Sequence, residues 1–176
     1  MPTTDDALLI IDLLEDFVSA DGALNVGEPG VAACRAAGEH LAAWRREGGL
    51  VIHATDAHTA DDPEFAVWPR HCVVGTIGAR PRPEVAPAVG EAVVPKRHFS
   101  AFFDTGLDQL LRAHGVRRLT LCGVCTNICV LYTAADAQMR GYKLRVLADA
   151  CAGTTEEAHR FALGELSATL GAEILA

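Results

Sequence analysis

Four groups able to do chemistry follow short apolar runs in this chain: Asp12, the pair Asp56 and His58, Lys96, and Cys129. Cys129 lies in Leu121-Cys122-Gly123-Val124-Cys125-Thr126-Asn127-Ile128-Cys129-Val130, where an apolar run breaks at Gly123 and a helical pattern starts at Thr126. A thiol in the first turn of a helix meets unpaired backbone N–H groups and the positive end of the helix dipole, and both favour the thiolate. The same N–H groups could hold the oxyanion that forms when sulfur attacks a carbonyl. Asp12 would then carry the proton and Lys96 would hold acid and thiolate in their charged forms, a set suited to covalent acyl transfer.

A second set has the makings of a metal site. In an extended segment residues at i and i+2 point the same way, so Asp56 and His58 can share a divalent ion while a loop brings in His71. Glu64, inside that loop, is a candidate additional ligand. Two imidazoles and one carboxylate suit zinc first, and also iron(II) or manganese. Cys122-Gly123-Val124-Cys125 is formally a CxxC motif, but a redox dithiol must open a helix, and here its first cysteine is still inside the apolar run.

The elements that must position these groups read as alternating strands and helices, the pattern of a mostly parallel sheet covered on both faces. The β-branched runs predict strands over 7–12, 50–55, 92–95, 119–123, 144–148 and 173–175. Between them, 29–47 predicts a helix with Val31, Cys34, Leu41 and Trp44 on its apolar stripe, stopped by Gly48-Gly49. Thr105 to Asp108 resembles a capping box opening a helix that ends near Gly115, and Thr154 with Glu157 predicts another reaching Gly171. From Asp56 to Glu91 there is no clear period and prolines gather, the mark of a functional loop. Open α/β sheets bind ligands beyond the carboxyl ends of their strands, where Asp12, Asp56, Lys96 and the Cys129 turn all fall.

Composition sets the class. A chain of 176 residues, half of them hydrophobic, predicts one globular domain over 1–176. A net charge of -8 with no basic cluster beyond a dipeptide argues against nucleic acid. The apolar runs are too short to cross a bilayer, and the acidic start lacks the basic region of a signal peptide. The expectation is a cytoplasmic protein whose six cysteines are thiols, with helix surfaces that could bury a homo-oligomer interface.

Five ordered motifs carry a resemblance. They are Ile11-Asp12-Leu13-Leu14-Glu15-Asp16-Phe17, Asp56-Ala57-His58, Trp68 to Thr76, Lys96 with Ser100-Ala101-Phe102, and Gly123 to Val130. Together, over nearly the whole chain, they resemble the isochorismatase-like cysteine hydrolases, most of all the nicotinamidases. The resemblance implies a three-layer α/β/α fold, a catalytic triad at Asp12, Lys96 and Cys129, and metal ligands at Asp56, His58 and His71. It also implies a cis peptide before Cys125 and an oxyanion hole made of the Cys125 and Cys129 N–H groups. Phe17 and Trp68 would sandwich the planar ring of a small amide, whose pyridine nitrogen the metal would hold.

The departures matter as well. Asn127 stands where nicotinamidases often have Asp, and the metal loop is compact. Isochorismatases proper lack the cysteine, and N-carbamoylsarcosine amidases keep the triad without the metal set. An amidase for another amide, or for a lactam as in streptothricin hydrolases, stays open, as do a non-catalytic ligand-binding scaffold and a redox protein built on Cys122 and Cys125.

Two expectations bear on catalysis. Lowering a thiol pKa from about 8.5 to about 6.5 raises the thiolate fraction roughly 25-fold, and the nucleophilicity lost with it removes roughly 8-fold of that. One oxyanion donor is worth about 10² to 10³ in rate, so donors should outweigh the sulfur's pKa. Thr126 presents a choice: a hydroxyl capping the Cys129 N–H would take that donor away from the oxyanion.

Overall fold

The computed structural model describes residues 5–175; residues 1–4 and residue 176 lie outside them. In chain order the elements are β1 (Asp6–Ile11), the single turn α1 (Glu15–Val18), α2 (Glu28–Arg46), β2 (Leu50–Asp56), β3 (Ala92–Lys96), α3 (Leu107–Ala113), β4 (Arg118–Val124), α4 (Leu131–Met139), β5 (Lys143–Ala152), α5 (Glu156–Ala168) and β6 (Glu173–Leu175). The six strands form one sheet in the order β3-β2-β1-β4-β5-β6, and every pairing is parallel. Right-handed crossovers place α2 on one face and α3, α4 and α5 on the other, giving the three-layer α/β/α architecture.

Every residue of β1 is buried, as a central strand covered on both faces requires. Strand order reverses beside it, between β1 and β4, and the crevice at such a reversal is where open α/β sheets bind ligands.

The predicted strands all form, with shifted ends. β5 runs four residues past its expected limit, where Cys151 and Ala152 pair with Gly123 and Val124 of β4. The stripe of α2 is turned by about one residue from expectation: Gly30, Ala33, Cys34, Ala37 and Leu41 are buried, whereas Val31 is 44% exposed. These mostly small residues let the helix lie close to the sheet, and Gly48-Gly49 ends it as expected, with Gly49 N–H returning to the Trp44 carbonyl.

Both capping boxes are corrected. Gly106, not Thr105, flanks α3, and Asp108 bonds Arg112 and Tyr142 instead of reaching back to the helix start. At α5 the cap is Thr155, whose hydroxyl accepts from Ala158 N–H; no acid stands three residues on, so the reciprocal half is missing.

One glycine shapes the reactive edge. Gly123 has φ +128°, and a Cβ there would stand 1.9 Å from the Ile11 carbonyl oxygen, so a side chain would force β1 and β4 apart. The register of β4 against β5 shifts at this point, between Leu121 and Gly123.

Candidate active site

Asp12 follows β1 in the left-handed region, φ 54°, a conformation that aspartate tolerates better than most residues. It is locked on both sides. Its N–H donates to the Ala54 carbonyl at 3.0 Å, and its Oδ1 accepts from Asp56 N–H at 2.8 Å. Lys96, the last residue of β3, is buried and lies 2.7 Å from Asp12 Oδ2, in contact with Asp56 Oδ1, 3.1 Å from the His98 carbonyl and 3.6 Å from Cys129 Sγ. Cys129 Sγ also lies within 4.8 Å of an Asp12 carboxylate oxygen. Asp12, Lys96 and Cys129, the sequence-predicted trio, are therefore gathered in one buried cluster.

The charges in this cluster are shared unequally. Burial, then the neighbouring Asp56, raises the Asp12 carboxyl to about 6 against the pull of Lys96. Burial works against ionised Asp56 too, but Lys96 and the two imidazoles outweigh it and hold Asp56 well below the usual carboxylate range. Lys96 is kept protonated, because Asp12 and Asp56 overcome the burial that would discharge it.

Cys129 departs from expectation. Burial pushes its thiol well above the ordinary range, Lys96 only partly offsets this, and Asp12 and Asp56 add to the rise. The resting group is a thiol, and proton removal has to accompany attack. The sequence placed this residue at a helix start without showing that it would be 6% exposed and face two carboxylates.

The turn carrying Cys129 also differs from a plain helix start. Thr126–Val130 is a single π turn that leads into α4. The Cys125 carbonyl accepts from Ile128 at 3.0 Å and from Val130 at 3.2 Å, the residues on either side of Cys129. The Val124–Cys125 peptide is cis. Thr126 does not cap this turn; Cys125 occupies the cap position, and the Thr126 hydroxyl pairs with His159 Nδ1 at 2.8 Å.

Asp56, His58 and His71 converge beside the trio, with ligand atoms within 4.8 Å of one another. The long loop is pinned rather than loose: His58 N–H donates to the Cys72 carbonyl, Val74 N–H donates to the His58 carbonyl, and Asp16 Oδ2 accepts from Cys72 N–H at 2.7 Å. The donor set fits a metal. His71 Nδ1 bonds the Pro69 carbonyl at 2.7 Å, which leaves Nε2 facing Asp56 Oδ2 at 3.7 Å. His58 Nδ1 stands 3.2 Å from Asp62 Oδ2 and Nε2 3.6 Å from Asp56 Oδ2, and neither buried nitrogen makes a hydrogen bond. Orphaned buried nitrogens are rare, and a second carboxylate behind a ligating histidine is a common support. Burial disfavours either imidazolium, yet Asp56 outweighs it and raises both, so the three side chains attract positive charge.

Glu64 Oε1 stands 3.9 Å from His71 Nε2, at the edge of this set rather than in it. Asp62, which Arg97 also holds at 2.9 Å, was missed by the sequence reading; its signal is an acid four residues beyond His58.

A cavity of about 330 Å³ opens over both sets, lined by Phe17, Trp68, Phe99, Leu24 and Ile128 together with Cys125, Cys129, His71 and Glu64. Phe17 and Trp68 thus share the cavity predicted for them. No lysine or arginine lines it among the described residues. Cys122 is buried in the core, as expected for a packing residue, and all six cysteines are free. No helix among the described residues is long and apolar enough to cross a membrane.

The isochorismatase domain family matches residues 6–176. A nicotinamidase of Escherichia coli (strain K12) is 34% identical over 190 residues, covering 88% of this chain and 88% of that protein. Among solved structures, a nicotinamidase/pyrazinamidase from Bacillus subtilis superposes with TM-score 0.93 at 33% identity, over 98% of this chain and all of that one. A pyrazinamidase of Pyrococcus horikoshii in complex with zinc gives 0.90 at 32% identity, over 97% of this chain and 98% of that one.

Proposed function

The chain belongs to the isochorismatase domain family, and from that premise we propose that it is a cysteine amidohydrolase converting nicotinamide to nicotinate and ammonia. Asp12, Lys96 and Cys129 are its catalytic residues, the N–H groups of Cys125 and Cys129 its oxyanion hole, and Asp56, His58 and His71 the ligands of one divalent ion, zinc before iron or manganese. The observation that carries the reading is a buried thiol touched by both an acid and a lysine, facing a small cavity walled by aromatic and aliphatic side chains.

In the first half-reaction the Cys129 proton passes to Asp12 as sulfur bonds the amide carbon. Lys96 offsets the charge left on sulfur, and the two N–H groups receive the charge that develops on oxygen. Asp12 returns its proton to the amide nitrogen, the C–N bond breaks and ammonia leaves. In the second, Asp12 takes a proton from water, the hydroxide attacks the thioester, and the carboxylic acid departs as the proton returns to sulfur. When bound, the metal supplies a Lewis-acid anchor for the pyridine nitrogen. Phe17 and Trp68 hold the ring.

The cavity supports a neutral amide over an acidic one. N-carbamoylsarcosine carries a carboxylate, and the described wall has Glu64 and Asp56 but no lysine or arginine to pair with it. Six free cysteines support a reducing compartment, the cytoplasm, as the enzyme's place.

The test is ammonia release from nicotinamide, pyrazinamide and N-carbamoylsarcosine, with metal content determined on the same sample. Turnover of the two heteroaromatic amides by a protein holding one metal ion is expected. Turnover of the acidic amide with nicotinamide inert would overturn the substrate assignment, and full activity without metal would overturn the metal's role.

A further inference from the structure

The turn that carries Cys129 is held from outside by one short segment. Where β5 passes into α5, His159 Nδ1 lies 2.8 Å from the Thr126 hydroxyl, Asn127 Nδ2 donates to Thr154 Oγ1 at 3.1 Å, and Thr154 N–H donates back to Asn127 Oδ1 at 3.0 Å. The approach is close enough that a Cβ on Gly153 would stand 3.0 Å from Asn127 Oδ1 and 2.9 Å from the His159 backbone nitrogen. Thr126 is completely buried, so its hydroxyl has left water and depends on His159 for a partner.

His159 is not among the residues lining the cavity, and its ring reaches the reaction only through Thr126. Thr126 is bonded directly to Cys125 and lies three residues before Cys129. Both backbone donors assigned to the oxyanion therefore sit on the stretch that Thr126 anchors. The stretch is a π turn, in which one carbonyl serves the residues on either side of Cys129, and a turn of this kind gets less support from its own ladder than an α-helix does. Its geometry has to come from neighbours.

We propose that His159 is a positioning residue: its hydrogen bond to the Thr126 hydroxyl fixes residues 125–129 so that the Cys125 and Cys129 N–H groups converge on one oxygen. This rests on the function proposed above. Misaligning a donor should cost part of what removing one costs, and a whole donor is worth about 10² to 10³ in rate. His159→Ala should therefore lower kcat by about 10- to 100-fold while KM stays within about 3-fold.

Alkylation separates the donors from the sulfur. Iodoacetamide reacts at a saturated carbon: the S–C bond forms, iodide leaves with the C–I electrons, the thiol proton is lost to a base, and no oxyanion develops. Alkylation at Cys129, followed by peptide mass spectrometry, should stay within about 3-fold of wild type in His159→Ala although turnover has fallen. His159→Asn, whose side-chain amide reaches the position of Nδ1, should restore most of kcat. Thr126→Val should reproduce the loss from the other side of the bond, and adding His159→Ala to it should cost little more.

A His159→Ala kcat within 3-fold of wild type overturns the proposal, and so does a parallel fall in kcat and alkylation, which would mean a displaced sulfur. Should His159→Ala fail to fold, Thr126→Val alone decides by the same two measurements. Wild type and Cys129→Ala run beside these variants: a wild type releasing no ammonia overturns the functional reading itself, whereas full activity in His159→Ala beside an inactive Cys129→Ala overturns this inference only.

Discussion

β1 opens on one buried aspartate and is followed by another, and their surroundings differ. Asp6, 2% exposed, accepts from Arg118 at 3.2 Å and Arg145 at 3.4 Å, side chains that each keep about a quarter of their surface in water. Asp12, 1% exposed, shares a fully buried lysine with Asp56 and stands beside a thiol. At the first end the cations come from the adjacent strand and the one beyond it, and the pairing ties β1, β4 and β5 together. At the second end one cation is divided between two carboxylates and a sulfur: Asp56 is held ionised, and a proton can move between Asp12 and Cys129. Burial of an acid alone does not mark a reactive site; a buried cation with more claimants than it can serve does.

Changing the cations and acids at the two ends should break this symmetry in opposite ways. Lys96→Met has the largest effect, since two buried carboxylates lose their cation: a stability loss of about 3–5 kcal/mol by denaturant titration, and no measurable turnover. Asp12→Asn should lower kcat about 10³-fold, within the range for a lost acid-base group, without lowering Tm at pH 8, because the fold already disfavours the charge it removes. The sign follows from linkage. The folded carboxyl titrates at about 6, above its unfolded value, so the fold binds more protons than the unfolded chain between about pH 4 and 6 and loses stability as pH rises through that window. The same carboxyl must be ionised to accept the thiol proton, so kcat/KM should fall as pH drops through about 6, and this acid limb should vanish in Asp12→Asn. Asp6→Asn should do the reverse: kcat within about 3-fold of wild type and a stability loss of about 1–2 kcal/mol, read as a drop of a few degrees in Tm.

The reactive end was legible in the sequence because strand ends are. Short β-branched runs located Asp12, Asp56 and Lys96, and a parallel sheet necessarily brings such positions to one edge, so local pattern sufficed. His71 was legible through its motif, but the loop's path was not, since the bonds of His58 and Asp16 to residues 72–74 link positions with no shared period. The protonation state of Cys129 was read wrongly for a similar reason: the helix-end argument is local, and burial between two carboxylates is not. The bridge from His159 to Thr126 spans 33 positions and joins two half-polar segments that no periodicity connects. The one-residue turn of the α2 stripe came from favouring large residues, when glycine and alanines form the packed face.

Whether Cys129 is the nucleophile is decided by ammonia release from nicotinamide by wild type and Cys129→Ala, with metal content and Tm matched between them. Steady release is expected from the wild type and none above background from the variant. A variant that folds, holds its metal and still releases ammonia at a rate near that of the wild type would contradict that role.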